Sequence, residues 1–329
     1  MNPRAAATLR HEALRLRAAA LSVRLDPGPP SPLQLVEGLP EPWSRARIWV
    51  KRDDLCGPGG TKVRKLAAAL SAARASGAKT VVTFGHLDSN HALATALAAR
   101  DAGLGADLWI QASAGSDLPE RRQAFAAVAT RVSYRQGQVG LVLGAAGSIV
   151  AGWLQGYAPC LLLPGGTTPA TCAAVAPLAL EVAEQFETLG EPLPERWAAA
   201  VGSGGTLAGL CAGLRALQLP CRLVGFHASD PWLVRPSLVA AYANAALDRL
   251  GLSGHLSADQ LELSIEQLGQ GHGIPTEASQ RAQVEWAAAG IELDPIFTAK
   301  AAAGVRAAIE RGPPGQSWLF FHTGTKVGP

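Results

Sequence analysis

From residue 46 onward, short apolar runs alternate with longer stretches in which Ala and Leu recur at helical spacing. The runs at 46–52 (ARIWVKR), 79–85 (KTVVTFG), 106–112 (ADLWIQA), 160–166 (CLLLPGG), 197–205 (WAAAVGSGG), 221–229 (CRLVGFHAS) and 317–324 (SWLFFHTG) read as strands. Segments 62–76, 90–103, 172–189, 206–218 and 298–311 carry helical periodicity. Strand, helix, strand repeated in this way predicts an α/β protein built on parallel sheet. The strand runs are near-continuously apolar rather than alternating, which predicts helices on both faces of the sheet. Ahead of this region, a Pro-rich connector (DPGPPSPLQLVEGLPEPW) follows an Arg- and Ala-rich segment, 1–25, expected to form an amphipathic helix. Its Leu9, Leu14, Leu16 and Leu21 are expected to pack partly on the body or on another subunit. No transmembrane span and no short-period repeat is evident.

A length of 329 residues allows two domains or one large α/β unit. The net charge is only +3, and no basic run is interleaved with aromatics, so neither nucleic acid nor a membrane surface is expected as a partner. Five cysteines, Cys56, Cys160, Cys172, Cys211 and Cys221, are odd in number and lack CxxC pairing, which argues against a disulfide framework and a zinc site. A reducing compartment, the cytoplasm, fits best. The opening segment lacks a continuous apolar core and carries Glu12, so a secretory signal is not expected; an organellar transit peptide is the lesser alternative.

Candidate chemistry lies where predicted strands or turns run into helices. In GPGGTKVRKL (57–66), a helical wheel puts Lys62 on one face with Leu66, Ala69, Leu70 and Ala73, and Arg64 and Ser71 on the other. An inward lysine has a lowered pKa and is a nucleophile; a stem that merely snorkels is the structural alternative. VGSGGTLAGL (201–210) joins an apolar strand to a helix, and its glycines let backbone N–H groups approach an anion, phosphate above all; a glycine-rich turn that merely packs helix on strand is the structural alternative. The dinucleotide pattern fails because Leu207 stands where its third glycine belongs, and no Gly-Lys-Ser/Thr follows. FGHLDSNH (84–91) is rich in hydroxyl, amide and imidazole groups; a helix N-cap explains Ser89 or Asn90 but not His86, Asp88 and His91 together.

Taken together, KRDDL (51–55), GGTKVRKL, DSNH, GSGGTLAG and the late HTG resemble the pyridoxal-phosphate enzymes of fold type II, in particular the group of 1-aminocyclopropane-1-carboxylate deaminase and D-cysteine desulfhydrase. The resemblance runs from about Pro30 to the C-terminus, roughly nine-tenths of the chain. It implies a tryptophan synthase β-like fold of two parallel-sheet α/β domains with the cofactor, pyridoxal 5′-phosphate, between them. Residues 1–64 and 165–329 would form the large domain and 65–164 a small one that closes over a small amino-acid substrate. Lys62 matches the lysine that forms a Schiff base with the cofactor. Gly202, Ser203, Gly204, Gly205 and Thr206 would hold the phosphate, with Lys65 adding charge. Asn90 would bond the pyridine hydroxyl, and Thr323 would face the ring nitrogen, with Thr298 in place of an acid nearby. Ser89 would serve the substrate carboxylate and the returning proton, beside Asp88 and His91. A homodimer is implied by the resemblance alone.

Departures from the group's pattern bear on the substrate. DPIF carries Phe297 where a tyrosine is usual, and His272 stands where a second tyrosine is expected, so His272 is the candidate acid-base substitute. A hydrogen-bonded loop histidine is the plain alternative. Thr61 and Asp88 replace the usual Asn and Gln, and Asp88 disfavours a second anionic group on the substrate. The leading expectation is a lyase or deaminase releasing ammonia from a small amino acid, with β-elimination from a D-amino acid better placed than 1-aminocyclopropane-1-carboxylate deamination. β-Replacement, racemisation and a cofactor-binding protein with little catalysis are the alternatives.

Overall fold

The computed structural model describes residues 3–21, 29–112, 118–325 and 327. A six-stranded sheet has the order β1 (Leu33–Leu35), β2 (Ala46–Lys51), β10 (Gln316–Phe321), β7 (Arg196–Val201), β8 (Arg222–His227), β9 (Glu262–Ser264), parallel except for β1 against β2. A four-stranded parallel sheet has the order β5 (Arg131–Arg135), β4 (Gly105–Gln111), β3 (Thr80–His86), β6 (Cys160–Leu162). All seven expected strands are present within a few residues. The unpredicted ones are short (β1, β9) or alternate, as in β5, where Arg131 and Arg135 are exposed and Val132 and Tyr134 pack inward.

Among the described residues, eleven helices cover the sheets: α1 (Pro3–Leu21), α2 (Lys62–Ala75), α3 (Asn90–Asp101), α4 (Pro119–Val128), α5 (Gln138–Leu154), α6 (Pro169–Val175), α7 (Pro177–Leu189), α8 (Gly205–Leu217), α9 (Pro236–Leu250), α10 (Glu277–Ala288) and α11 (Thr298–Arg311). One face of the larger sheet packs on α6, α7, α8 and α9, the other on α10 and α11; the smaller sheet lies between α2, α3 and α4 on one side and α5 on the other. The expected helix 172–189 is two helices, because Pro177 lacks the N–H that would continue α6 and instead opens α7. In α1, Leu14 is buried and Leu16 is exposed; the side chains of Leu9 and Leu21 lie outside the described residues. Gly209 lets α8 lie close on α6, since a Cβ there would come within 2.5 Å of Val175. Among the described residues no helix is long and apolar enough to cross a membrane, and all five cysteines are free thiols.

Parallel strands bring their carboxyl ends to one edge, where parallel α/β sheets bind ligands. In the larger sheet that edge carries the segments after β2, β7, β8 and β10; in the smaller sheet it carries the segments after β3 and β6.

Candidate active site

The turn before Lys62 is built around three glycines in the left-handed region, and Gly60, at φ +59°, allows an approach no side chain permits: a Cβ there would lie 2.2 Å from the Thr323 carbonyl oxygen. The Thr61 N–H donates to that oxygen (3.0 Å) and the Asp54 N–H to the His322 carbonyl (3.0 Å). The late HTG segment is thus laced to the lysine turn, and Lys62 becomes the first residue of α2.

Arg64 and Ser71 do not face solvent as the helical wheel predicts, because α2 packs on both α3 and α6, which buries Ser71 and leaves only a tenth of the Arg64 side chain exposed. The Arg64 guanidinium donates to Asp53 through Nε (3.1 Å) and Nη2 (2.9 Å), and through Nη1 to Glu181 Oε2 (2.9 Å). Lys51 Nζ donates to Glu181 Oε1 and the Ser31 carbonyl, each at 2.5 Å, and to Gln185 Oε1 at 2.7 Å. Ser31 Oγ donates to Asp53 Oδ1 at 2.6 Å. Two cations and two carboxylates therefore satisfy each other beneath the Lys62 turn, the condition under which buried charge is tolerated. Burial alone would raise the Asp53 pKa; the Arg64 charge and hydrogen bonds from Arg64 and Ser31 outweigh it and hold the carboxyl below its ordinary range.

Lys62, Lys65 and His91 line one narrow cleft with Leu66, Ala69, Leu162, Gly165 and Gly166. Burial pushes the Lys62 amine below its ordinary pKa against an opposing pull from Asp294. Burial, then the Lys62 charge, brings Lys65 down to about 8; burial, then Lys62 and Lys65, brings His91 down to about 3. Neutral His91 bonds Thr83 Oγ1 through Nε2 (3.2 Å), and Thr83 in turn donates to the Leu162 carbonyl (2.6 Å). Lys65 Nζ donates to the Gly165 carbonyl at 2.6 Å. Among the described residues no carboxylate lines this cleft, so its cationic side chains suit an anion.

A second anion-receptive feature adjoins it. α8 opens at Gly204 (φ +79°), which has no side chain to cap the helix, so the first N–H groups, from Gly205 and Thr206, have no capping acceptor from that residue. Ser203 Oγ lies 2.7 Å from Thr167 Oγ1, and a Cβ on Gly165 would strike Ser203 at 2.3 Å, so the loops after β6 and β7 abut. An open helix N-terminus beside a cleft lined by two lysines fits the phosphate of pyridoxal phosphate.

In DSNH, Ser89 caps α3 by accepting the Ala92 N–H (3.2 Å), which leaves its hydroxyl hydrogen to donate elsewhere. Asp88 is exposed, and its carbonyl accepts from Arg121 Nη2 (3.1 Å). Asn90 Oδ1 accepts from the same nitrogen (3.3 Å) and from the Val327 N–H (3.1 Å), so its carboxamide N–H groups remain for another ligand. Phe297, ahead of α11, lies against Gly202, where an added Cβ would be 3.0 Å from its ring. The His272 ring is 5.5 Å from that of Phe297, and His272 Nδ1 is 2.9 Å from the Ala228 carbonyl oxygen. That oxygen can only accept, so Nδ1 carries a hydrogen; in the neutral ring Nε2 is then the acceptor. Thr298 bonds the backbone of Asp294, accepting its N–H at 2.7 Å and donating to its carbonyl at 3.3 Å.

Two clusters thus form among the expected residues: Lys62, Lys65 and His91 with the 202–206 loop beside them, and Phe297 with His272. Reasoning along the chain missed Glu181, Gln185, Arg121 and Asp294; the charged quartet 51–54 just before the glycine turn was the signal for a buried partner set.

A parallel α/β fold with a partly buried lysine at a helix start, tied by its turn to the last strand's loop and set beside an anion-receptive helix N-terminus, defines a phosphate-cofactor enzyme. The chain belongs to the family of pyridoxal-phosphate dependent enzymes, whose model matches residues 25–324. Its cofactor is pyridoxal phosphate and its fold is type II. It is 32% identical over 284 residues to a Pyrococcus horikoshii protein provisionally named 1-aminocyclopropane-1-carboxylate deaminase, covering 85% of this chain and 84% of that one. It is 30% identical over 324 residues to a Klebsiella pneumoniae D-cysteine desulfhydrase, covering 90% and 92%. The crystal structure of an ACC deaminase homologue superposes with a TM-score of 0.81 at 29% identity, covering 95% of each chain. The crystal structure of a T.th. threonine deaminase, TM-score 0.65 at 20% identity over 97% and 98% of the chains, shares the fold.

Proposed function

We propose that the enzyme releases ammonia from a small amino acid, with β-elimination from a D-amino acid such as D-cysteine as its reaction: D-cysteine and water give pyruvate, hydrogen sulfide and ammonia. The observation that carries this reading is the Lys62 amine, held below its ordinary pKa by burial at the start of α2 and beside the open N-terminus of α8. Pyridoxal phosphate, when bound, supplies the electron sink that makes the substrate Cα acidic.

The protein's own groups supply the rest. Lys62 would hold the cofactor as its covalent anchor. Backbone N–H groups of Gly202, Ser203, Gly204, Gly205 and Thr206, with Lys65, would hold the phosphate. The Asn90 carboxamide N–H groups and the Thr323 hydroxyl would hold the cofactor ring, Thr323 offering a neutral hydroxyl in place of a carboxylate. The Ser89 hydroxyl hydrogen meets the substrate carboxylate and the returning proton. Asp88 stands at the mouth and selects against a second acidic group on the substrate. His272 Nε2 takes or returns a proton, beside a Phe297 ring that carries no hydroxyl. Residues 65–164 act as the smaller, closing domain and 1–64 with 165–329 as the larger; closure excludes water from the reacting carbon. Two copies form a homodimer, and the five free thiols suit the cytoplasm.

The replaced phenols favour one alternative outcome, β-replacement at the same site, because His272 and Phe297 alter the groups above the reacting carbon. The test is the visible band of the lysine-linked cofactor, its loss on borohydride reduction and in Lys62→Ala, followed by incubation with D-cysteine. Pyruvate and sulfide in equal amounts support elimination. A band with no keto acid from D-cysteine refutes it, and a purified protein that binds no cofactor refutes the site.

A further inference from the structure

We infer that Arg121, braced by the main chain of Val327, is the positioning residue that turns the Asn90 carboxamide N–H groups toward the cofactor ring. Arg121 lies on α4 and is only 2% exposed. Its guanidinium donates to uncharged oxygens: through Nη1 to the Val327 carbonyl, and through Nη2 to the Asp88 carbonyl (3.1 Å) and Asn90 Oδ1 (3.3 Å). Asp88 attracts it electrostatically, but the Asp88 side chain is exposed and bonds Arg121 through its backbone alone. Among the described residues no carboxylate oxygen comes within bonding distance of Arg121, and its Nε is buried without an acceptor. A cation taken from water with no opposite charge beside it is costly. A residue needed only to fill this space would be apolar, like Phe125 one turn further along, whose ring centroid lies 5.6 Å from the guanidinium carbon.

What the charge does is written in its bond to Asn90, the first residue of α3. Two groups from distant parts of the chain converge on the Asn90 oxygen, Arg121 from 31 residues away and the Val327 N–H from 237. A guanidinium and a backbone N–H can only donate. Turning the carboxamide over would set its NH2 against both donors and leave all of them without an acceptor, so Oδ1 is held inward and the NH2 is turned out, toward the partly exposed side of the residue. A hydrogen bond from a cation is roughly twice as strong as one between neutral groups, and hydrogen bonds in series polarise one another. Electron density drawn onto Oδ1 by Arg121 makes the Asn90 N–H groups stronger donors, which suits the electron-rich hydroxyl oxygen of the pyridine ring.

Val327 closes the bracket. Its N–H donates to Asn90 Oδ1 (3.1 Å), its carbonyl accepts from Arg121, and its side chain, 5% exposed, packs into the core of the smaller sheet. The chain that brings it there leaves β10 of the larger sheet and passes Thr323, whose carbonyl accepts the Thr61 N–H in the lysine turn. One short run of chain therefore touches the Lys62 turn at Thr323 and the Asn90 carboxamide at Val327, and Arg121 ties the far end of that run to α4 and to the backbone of DSNH.

This role for Arg121 rests on the contact between Asn90 and the ring proposed above. The test is the dissociation constant of pyridoxal phosphate, read from the growth of the visible band as cofactor-free protein is titrated, for wild type, Asn90→Ala, Arg121→Met and the double variant. Asn90→Ala, in which Ser89 still caps α3, and Arg121→Met are each expected to raise the constant by about 2- to 10-fold, the worth of one hydrogen bond. The double variant is expected to match Asn90→Ala, because Arg121 acts through Asn90. Factors that multiply in the double variant place the effect of Arg121 elsewhere and overturn the proposal, as does an Arg121→Met that binds like wild type while Asn90→Ala does not. An Asn90→Ala that binds like wild type overturns the ring contact and the role of Arg121 together. Should Arg121→Met lose native circular dichroism, Val327→Pro takes its place in the same cycle, since proline has no N–H to give Asn90; weaker binding that adds nothing to Asn90→Ala is expected, and binding like wild type overturns the bracket. Keto acid formation from D-cysteine reads the lyase assignment independently of these outcomes.

Discussion

Replacing Asp53 with Asn tests how the lysine-bearing turn is held. The substitution keeps the shape of the side chain and removes its charge, leaving the Arg64 guanidinium, which now has two bonds to Asp53, facing a neutral amide. Breaking one partner of a buried ion pair costs about 3–5 kcal/mol, because the remaining charge stays buried without compensation. Glu181 still faces Arg64 at 2.9 Å and limits the damage to the lower half of that range. Unfolding entropy of about 2.1 cal/mol/K per residue amounts to roughly 0.7 kcal/mol/K for 329 residues, so the expected fall in Tm at pH 7 is roughly 4–6 °C. The pH dependence has a definite sign. Asp53 has a folded pKa below its ordinary value, so its contribution is complete above about pH 4 and is lost as pH falls through the lower folded value. Thermal melts of wild type and Asp53→Asn, followed by circular dichroism from pH 7 downward, should keep a constant separation to about pH 4 and converge below it. A separation under about 1 °C at pH 7, or one that widens on acidification, would refute the account of the buried network of Lys51, Asp53, Arg64 and Glu181.

Three further outcomes follow from the site. His272→Gln should lower kcat for D-cysteine by about 10²–10⁴ with little change in KM if Nε2 takes and returns the reaction's proton; an unchanged kcat makes it a loop histidine held by Ala228. Gly60→Ala places a Cβ 2.2 Å from the Thr323 oxygen at a positive φ, costing roughly 2–5 kcal/mol from strain and overpacking, and should appear as a lower Tm together with weaker cofactor retention. Lys65, held at about 8, is destabilised as a cation, so the folded state loses stability as pH falls from the ordinary lysine value towards 8. Inorganic phosphate bound to cofactor-free protein near pH 8.5 should therefore raise that pKa and take up protons, seen as a buffer-dependent heat in calorimetry, and Lys65→Met should abolish the uptake.

Much of the scaffold was legible in the chain because its cause is local. Near-continuous apolar runs such as KTVVTFG and SWLFFHTG are what a parallel strand covered on both faces requires, and the glycines of GPGGTK and GSGGT mark backbone that only glycine can adopt or approach. The order of motifs along the chain also carried the family. Local signals failed where contrast was missing: α5 has no polar face to set a helical period, and Pro177 divided a run whose apolar spacing reads as one helix.

What the sequence by itself determined was therefore the α/β class, the glycine turn that presents Lys62, and the glycine loop that opens α8 without a side-chain cap. Tertiary structure alone decided that Arg64 points into a buried charge network, since its partner Glu181 lies 117 residues away. It likewise turned the oxygen of Asn90 toward Val327, 237 residues away, and set His272 beside Phe297. The helical wheel knows only one helix's own geometry; which of its faces meets water depends on what packs against it, and α2 is enclosed by α3 on one side and α6 on another. Charge placement follows the same rule, because the cost of burying an ion depends on partners that the fold, and not the neighbouring sequence, brings within reach.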